Sequence, residues 1–349
     1  MMKILKISLT RFLALTAAAL AAPSPYPREH KYARVTVQQH KITSEKQILV
    51  KDSSTGDILG SACSNALTTG AFSDFGIVAD VGPNGDGNIN AGPSTFVVHE
   101  DPQYSGGITC YRMYNDHESF MVCDGVPLPA TVPLGPIKGN DISPCFSDTV
   151  DMSLQRAAQT IHVVDTFPVP GSQANSTSAV STSNLEQRQT GTCSQWSPAT
   201  RKVGDGDPHQ NYWRKQLSEN LDCGSADHCT VGASQSKSYT IGWTATADAS
   251  QWISGGFAVQ ASWTTGLDYQ CTASSHQTVC IWYNTAHTAY TVQNGLYNVC
   301  TGFNPNNGAG FVMFSPNQNN KVGGYYCVIG TCRSQGQNYW DKSGPAGGP

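Results

Sequence analysis

The chain has 349 residues, and its 21 Lys and Arg against 25 Asp and Glu leave a formal net charge of −4. That balance excludes the basic footprint by which proteins hold nucleic acid, so no nucleic-acid partner is expected. Low charge, 34 glycines and many short apolar alternations point to two domains of mainly β structure.

Lys3, Lys6 and Arg11 precede an apolar run from Phe12 to Leu20, and Ala19-Leu20-Ala21 supplies small residues for cleavage. Residues 1–21 therefore read as a secretory signal peptide, too short in its apolar core to span a bilayer as a helix. The expected destination is outside the cell.

Residues 22–166 form the first expected module, β-rich or a propeptide. Ala33–Val37, Ile48–Lys51 and Thr95–His99 alternate as short strands do. The stretch from Asp80 to Asn90 is dense in Gly, Asn and Asp and reads as a hairpin turn, since it lacks the register of a calcium loop. Its cysteines are Cys63, Cys110, Cys123 and Cys145.

Residues 167–188 contain too few apolar groups to pack, and are expected to be an exposed linker. Asn175 lies in the N-x-[ST] sequon Asn175-Ser176-Thr177 and is the candidate glycosylation site. Arg188 and Gln189 close the linker at a candidate processing site, in the kind of polar segment where proteolysis concentrates.

The second module, 189–349, carries Cys193, Cys223, Cys229, Cys271, Cys280, Cys300, Cys327 and Cys332. Four plus eight cysteines make two even sets, each expected to close its own disulfides, with all pairings open. Zinc is disfavoured because no short paired C-x2-C spacing occurs, so neither metal nor cofactor is expected. All seven tryptophans lie in this module.

Asp207, Pro208 and Gln210 have the pattern of a capped helix start. With Trp213, Leu217 and Leu221 recurring every four residues and Gly224 as a stop, they predict one short helix in a sandwich-like β module. Ser236–Ala247 then alternates Tyr239, Ile241, Trp243, Ala245 and Ala247 with polar residues. Gly256–Trp263 does the same with Phe257, Val259, Ala261 and Trp263, and Asp248–Gly255 turns the chain between them. The result is an amphipathic hairpin whose Ser/Thr-rich polar face resembles those of β-pore-forming toxins, although a core-lining pair has the same pattern. Further strands are expected at Val279–Tyr283, His287–Val292, Phe311–Phe314 and Tyr325–Ile329.

Two site readings follow. Trp252, Trp282, Tyr283, Tyr339 and Trp340 would form a glycan-stacking platform if exposed. His209 and His287, the candidate catalytic histidines, would serve acid–base chemistry as in a secreted ribonuclease if carboxylates met them. No nucleophile elbow, zinc-protease or P-loop motif is present, and a non-enzymatic role is favoured.

The order of signal, propeptide, Arg188-Gln189 junction and cysteine-rich remainder resembles the small cysteine-rich secreted proteins of filamentous fungi, of effector and killer-toxin-like type. That resemblance implies cleavage after Arg188 by a Kex2-like protease. It also implies action on the surface of a host or competitor cell (protein, glycan or membrane) by binding or membrane disturbance. A cell-wall carbohydrate-binding protein and a secreted hydrolase are the alternatives. The first module is expected to assist folding of the second or to mask it.

Overall fold

The computed structural model describes residues 31–130, 132, 135–138, 142–147, 154, 193–233, 269–306, 308–317 and 320–347. The signal peptide, Asn175, the Arg188-Gln189 junction and the 236–263 hairpin with Trp243, Trp252 and Trp263 lie outside these residues.

The fold is mainly β. The first half contributes β1 (Lys31–His40), β2 (Lys46–Asp52), β3 (Ile58–Ala62), β4 (Ala66–Leu67), β5 (Ile77–Val81), β6 (Gly87–Ala91), β7 (Ser94–Val97), β8 (Thr109–Tyr114) and β9 (Glu118–Leu128). The sheet β4-β5-β6-β7 packs on the larger sheet through Val35, Ile48, Val50, Leu67, Ile77 and Ile89. Strands β5 and β6 pair down to Val81 and Gly87, which makes the Gly/Asn/Asp-rich stretch the hairpin turn its composition predicts. One four-residue helix, α1 (Pro102–Ser105), is capped by Asp101, whose side chain accepts from the Gln103 amide.

The second half contributes β10 (Ser197–Lys202), β11 (His209–Gln216), β12 (Leu221–Asp222), β13 (His228–Ala233), β14 (Tyr269–Ser274), β15 (Thr278–Asn298), β16 (Gly302–Pro305), β17 (Phe311–Pro316), β18 (Gly324–Ile329) and β19 (Asn338–Asp341). Two of the expected strands are one: β15 runs unbroken for 21 residues, roughly 70 Å at the usual rise. No proline interrupts it, and Thr, Val, Ile, Tyr and Trp supply much of its length. It is the spine of the molecule. Along one edge it pairs in turn with β18, β17 and β16, and along the other with β12, β11 and β10. Val279 to Tyr290 are all buried, so the strand is covered on both faces there.

The helix expected after Asp207 is a strand. His209–Gln216 is held between β15 and β19, with Arg214 opposite both Asn284 and Tyr339. Asp207 has φ 42°, not the extended backbone of an N-cap. The four-residue spacing of Trp213, Leu217 and Leu221 is also a multiple of two, so it suits one strand face equally, and tertiary pairing on both edges decides the outcome.

All twelve cysteines pair, and each bridge stays within its own half. Such pairing fits a protein that leaves the reducing cytosol. Among the described residues no helix is long and apolar enough to cross a membrane. The halves are nevertheless joined by backbone. Strand β8 pairs with β18, setting Tyr114, Met113 and Arg112 opposite Cys327, Val328 and Ile329. One main sheet therefore runs β19-β11-β15-β18-β8-β9-β1-β2-β3 through both halves. Met113, Phe120 and Val122 share an apolar cluster with Trp282, Tyr326 and Val328.

Candidate functional site

The most distinctive local structure is the two-stranded ribbon β13–β14. Its odd positions, Cys229, Val231, Ala233, Tyr269, Cys271 and Ala273, pack toward Val279, Ile281 and Ile329 of the main sheet. Its even positions, Thr230, Gly232, Gln270 and Thr272, are exposed, and the Thr230 and Thr272 hydroxyls meet at 3.0 Å. Cys271–Cys327 fastens the ribbon to β18, and Cys223–Cys229 fastens its start to the end of β12. At the far end Ala233 and Tyr269 are directly paired, so residues 234–268 leave from and return to the same rung.

The first half grips the base of this ribbon. The Tyr114 hydroxyl donates to the Thr272 carbonyl and accepts from the Thr272 amide. Arg112 donates to Gln277 Oε1, while Gln277 Nε2 donates to the Val98 carbonyl. Glu100 accepts from the Thr278 amide, and burial pushes its carboxyl up despite that bond. Tyr104 stacks on His276 with ring centroids 4.4 Å apart. The turn from β14 into β15 is thus enclosed by residues from Val98 to Tyr114.

The aromatic platform is not formed. Trp282, Tyr283 and Tyr339 are buried, because β15 and β19 carry them into layers covered on both faces. Trp282 packs edge-on to Tyr339 at 5.7 Å, and the Arg333 guanidinium lies 5.0 Å from the Tyr339 ring. Trp340 is half-buried against Trp213, His287 and Phe314. Of the five, Trp252 lies outside the described residues.

The candidate histidines do not open onto a common cleft. His209 is partly exposed at the start of β11, 3.6 Å from the solvated Asp207 carboxylate. His287 is sealed within β15; its Nδ1 donates to the Thr285 carbonyl, and burial lowers its pKa to about 4. One imidazole meets water without a buried partner, and the other has no access to substrate. Among the described residues no group of three or more His, Cys, Asp or Glu is placed to hold a metal ion.

A buried ion pair escaped the sequence reading. Arg214 and Asp341 are fully buried, with guanidinium Nη2 2.7 Å from the carboxylate and Nη1 donating to Asn284 Oδ1 at 2.8 Å. Burial by itself pushes the Asp341 carboxyl up, but Arg214 and Ser343 outweigh it and hold the group below its ordinary range. No spacing rule links residues 214 and 341; only the pairing of β11 with β19 brings them together. The pair locks the last strand against the spine.

No protein-family model, no curated protein and no solved structure matches the chain.

Proposed function

We propose that this is a secreted, toxin-like protein that acts outside the cell of origin by disturbing the membrane of another cell. The observation that carries this reading is the Ala233–Tyr269 rung. It ends a ribbon with one apolar and one polar face, bolted to the sheet by two disulfides, and its two strands lead into residues 234–268.

The sequence of that segment supports the reading. Counted along the sequence from Ala233 and Tyr269, Tyr239 and Trp263 stand at equal distances, as do Ile241 and Ala261, Trp243 and Val259, and Ala245 and Phe257. The apolar members of both alternating stretches thus stand in phase along the sequence. Each is close to the roughly nine to eleven residues of a membrane-crossing strand. Asp248 to Gly255, with Trp252, separates the two stretches in the sequence.

Leakage of dye from vesicles tests the idea. Purified secreted protein, intact or cut in the linker, is expected to release dye, and Ile241→Asp with Val259→Asp is expected to abolish release. A charge near mid-bilayer costs about 2–4 kcal/mol for Arg or Lys and less for Asp, and here two are added. Intact vesicles at micromolar protein, before and after cleavage, would end the proposal.

A further inference from the structure

The far end of the spine is built differently from its middle. Leu296 and Tyr297 are consecutive residues of a strand, so their side chains project to opposite faces. Both are exposed, at 41% and 38%. The main sheet has lost its cover on both sides here, whereas from Val279 to Tyr290 neither face is open.

This end is a three-stranded blade. Ser197 pairs with Tyr297 and Tyr297 with Phe303, placing β15 between β10 and β16. Trp196, 45% exposed, precedes β10, and Val299, 61% exposed, follows β15. The Cys193–Cys300 bridge ties the two together across 107 residues of sequence. In the chain-entropy picture closing so long a loop stabilises the native form. Gly295 lets β16 approach: a Cβ there would lie 2.3 Å from the Asn304 carbonyl oxygen. A rigid, stapled edge thus holds four large apolar side chains in water, where burial would normally remove them.

Its strands carry only positive charge, with Asp205 and Asp207 in the turn beyond β10. Residues 193–202 and 293–306 contain Arg201 and Lys202 and no acidic residue. The Arg201 guanidinium lies 5.3 Å from the centre of the Tyr297 ring. Tryptophan and tyrosine beside aliphatic side chains and cations match the headgroup zone of an anionic bilayer, where amphipathic rings settle and basic groups meet phosphate.

We infer that this blade is the surface by which the protein docks on anionic lipid, with Trp196, Leu296, Tyr297 and Val299 entering the headgroup zone beside Arg201 and Lys202. The inference rests on the membrane reading above but concerns the opposite end of β15 from the ribbon, so the two are separable. Co-sedimentation of the whole secreted protein tests it. The vesicles are phosphatidylcholine alone, or phosphatidylcholine and phosphatidylserine in equal parts.

Binding is expected to favour the anionic vesicles. Trp196→Ser and Val299→Asp are each expected to weaken it by roughly tenfold, as loss of a large apolar contact predicts. Arg201→Gln and Lys202→Gln should cost about fivefold each on anionic vesicles and little on neutral ones. All four positions are at the surface or its margin, and an unchanged circular-dichroism melt establishes that the variants fold. Unaltered vesicle binding by Trp196→Ser and Val299→Asp overturns the inference even if dye leakage persists. Binding that depends on the blade without any leakage sustains it while defeating the pore reading. Retention on β-glucan or chitin that requires Trp196, with no vesicle binding, makes the blade a glycan surface and also overturns it.

Discussion

The hydroxyl of Tyr114, on the last residue of β8, makes two hydrogen bonds to the backbone of Thr272 in β14, donating at 2.8 Å and accepting at 3.1 Å. Strand β14 pairs with β13 on its other side, so a side chain from the first half closes an edge that would otherwise be open to strand addition. Tyr114→Phe removes both bonds and is expected to loosen the ribbon by roughly 1–2 kcal/mol. Faster hydrogen exchange at the Thr272 amide, with the β1–β2 amides unchanged, is the expected signature. Under the membrane reading the same variant should release dye faster than the parent protein.

Cutting the chain after Arg188 should not by itself separate the halves. Six residues pair across β8 and β18, and Met113, Phe120 and Val122 are buried with Trp282, Tyr326 and Val328. The cut protein is expected to elute from a sizing column as one species and to part only in denaturant, since no disulfide links the halves. Two species under native, non-reducing conditions would show that the shared sheet is too weak to hold them. In the uncut structure the first half grips the ribbon base through Glu100, Arg112 and Tyr114.

Much of the local structure was legible because it depends on near neighbours. The alternations around Val35, Ile48 and Phe96 became strands, and the four-plus-eight division of cysteines anticipated bridges confined to each half. A proline after an aspartate did mark a helix, but at Asp101-Pro102, where Asp101 caps it, and not at Asp207-Pro208, where two neighbouring strands claim the chain. The pairing of β8 with β18 and of Arg214 with Asp341 joins residues more than a hundred positions apart, which no local pattern encodes. Aromatic type did not distinguish the sealed Trp282 from the bare Trp196. Consecutive large residues do not separate them either: Ile281, Trp282 and Tyr283 are buried where both faces of β15 are covered, whereas Leu296 and Tyr297 are exposed at its far end.

Arg214 and Asp341 should respond to substitution asymmetrically. Asp341→Ala strands a guanidinium in a fully buried site and is expected to destabilise the protein by about 3–5 kcal/mol. Replacing both with apolar residues of similar volume, as in Arg214→Met with Asp341→Leu, should restore much of that loss. Denaturant midpoints of the single and double variants check it. A double variant no more stable than Asp341→Ala would mean that the pair contributes more than the relief of its own desolvation.

His287 makes the fold sensitive to mild acid. Its imidazole is buried, Nδ1 already donates to Thr285, and Nε2 has no partner among the described residues to receive an added proton's hydrogen bond. Burial holds the native pKa at about 4 against an ordinary value of 6.5. The unfolded chain therefore binds a proton that the native state refuses between those values. Stability from this group is complete above pH 6.5 and is lost as pH falls through about 4. At about 1.4 kcal/mol per pH unit, the loss totals roughly 3 kcal/mol. His287→Phe keeps a ring against Trp340 and has no proton to gain, so its urea midpoint should stay flat across that window while the parent's declines. Parallel declines in the two proteins would show that other groups carry the acid response; Asp341 enters as pH falls through 3.8, where the unfolded carboxyl takes up a proton that its depressed native carboxyl refuses.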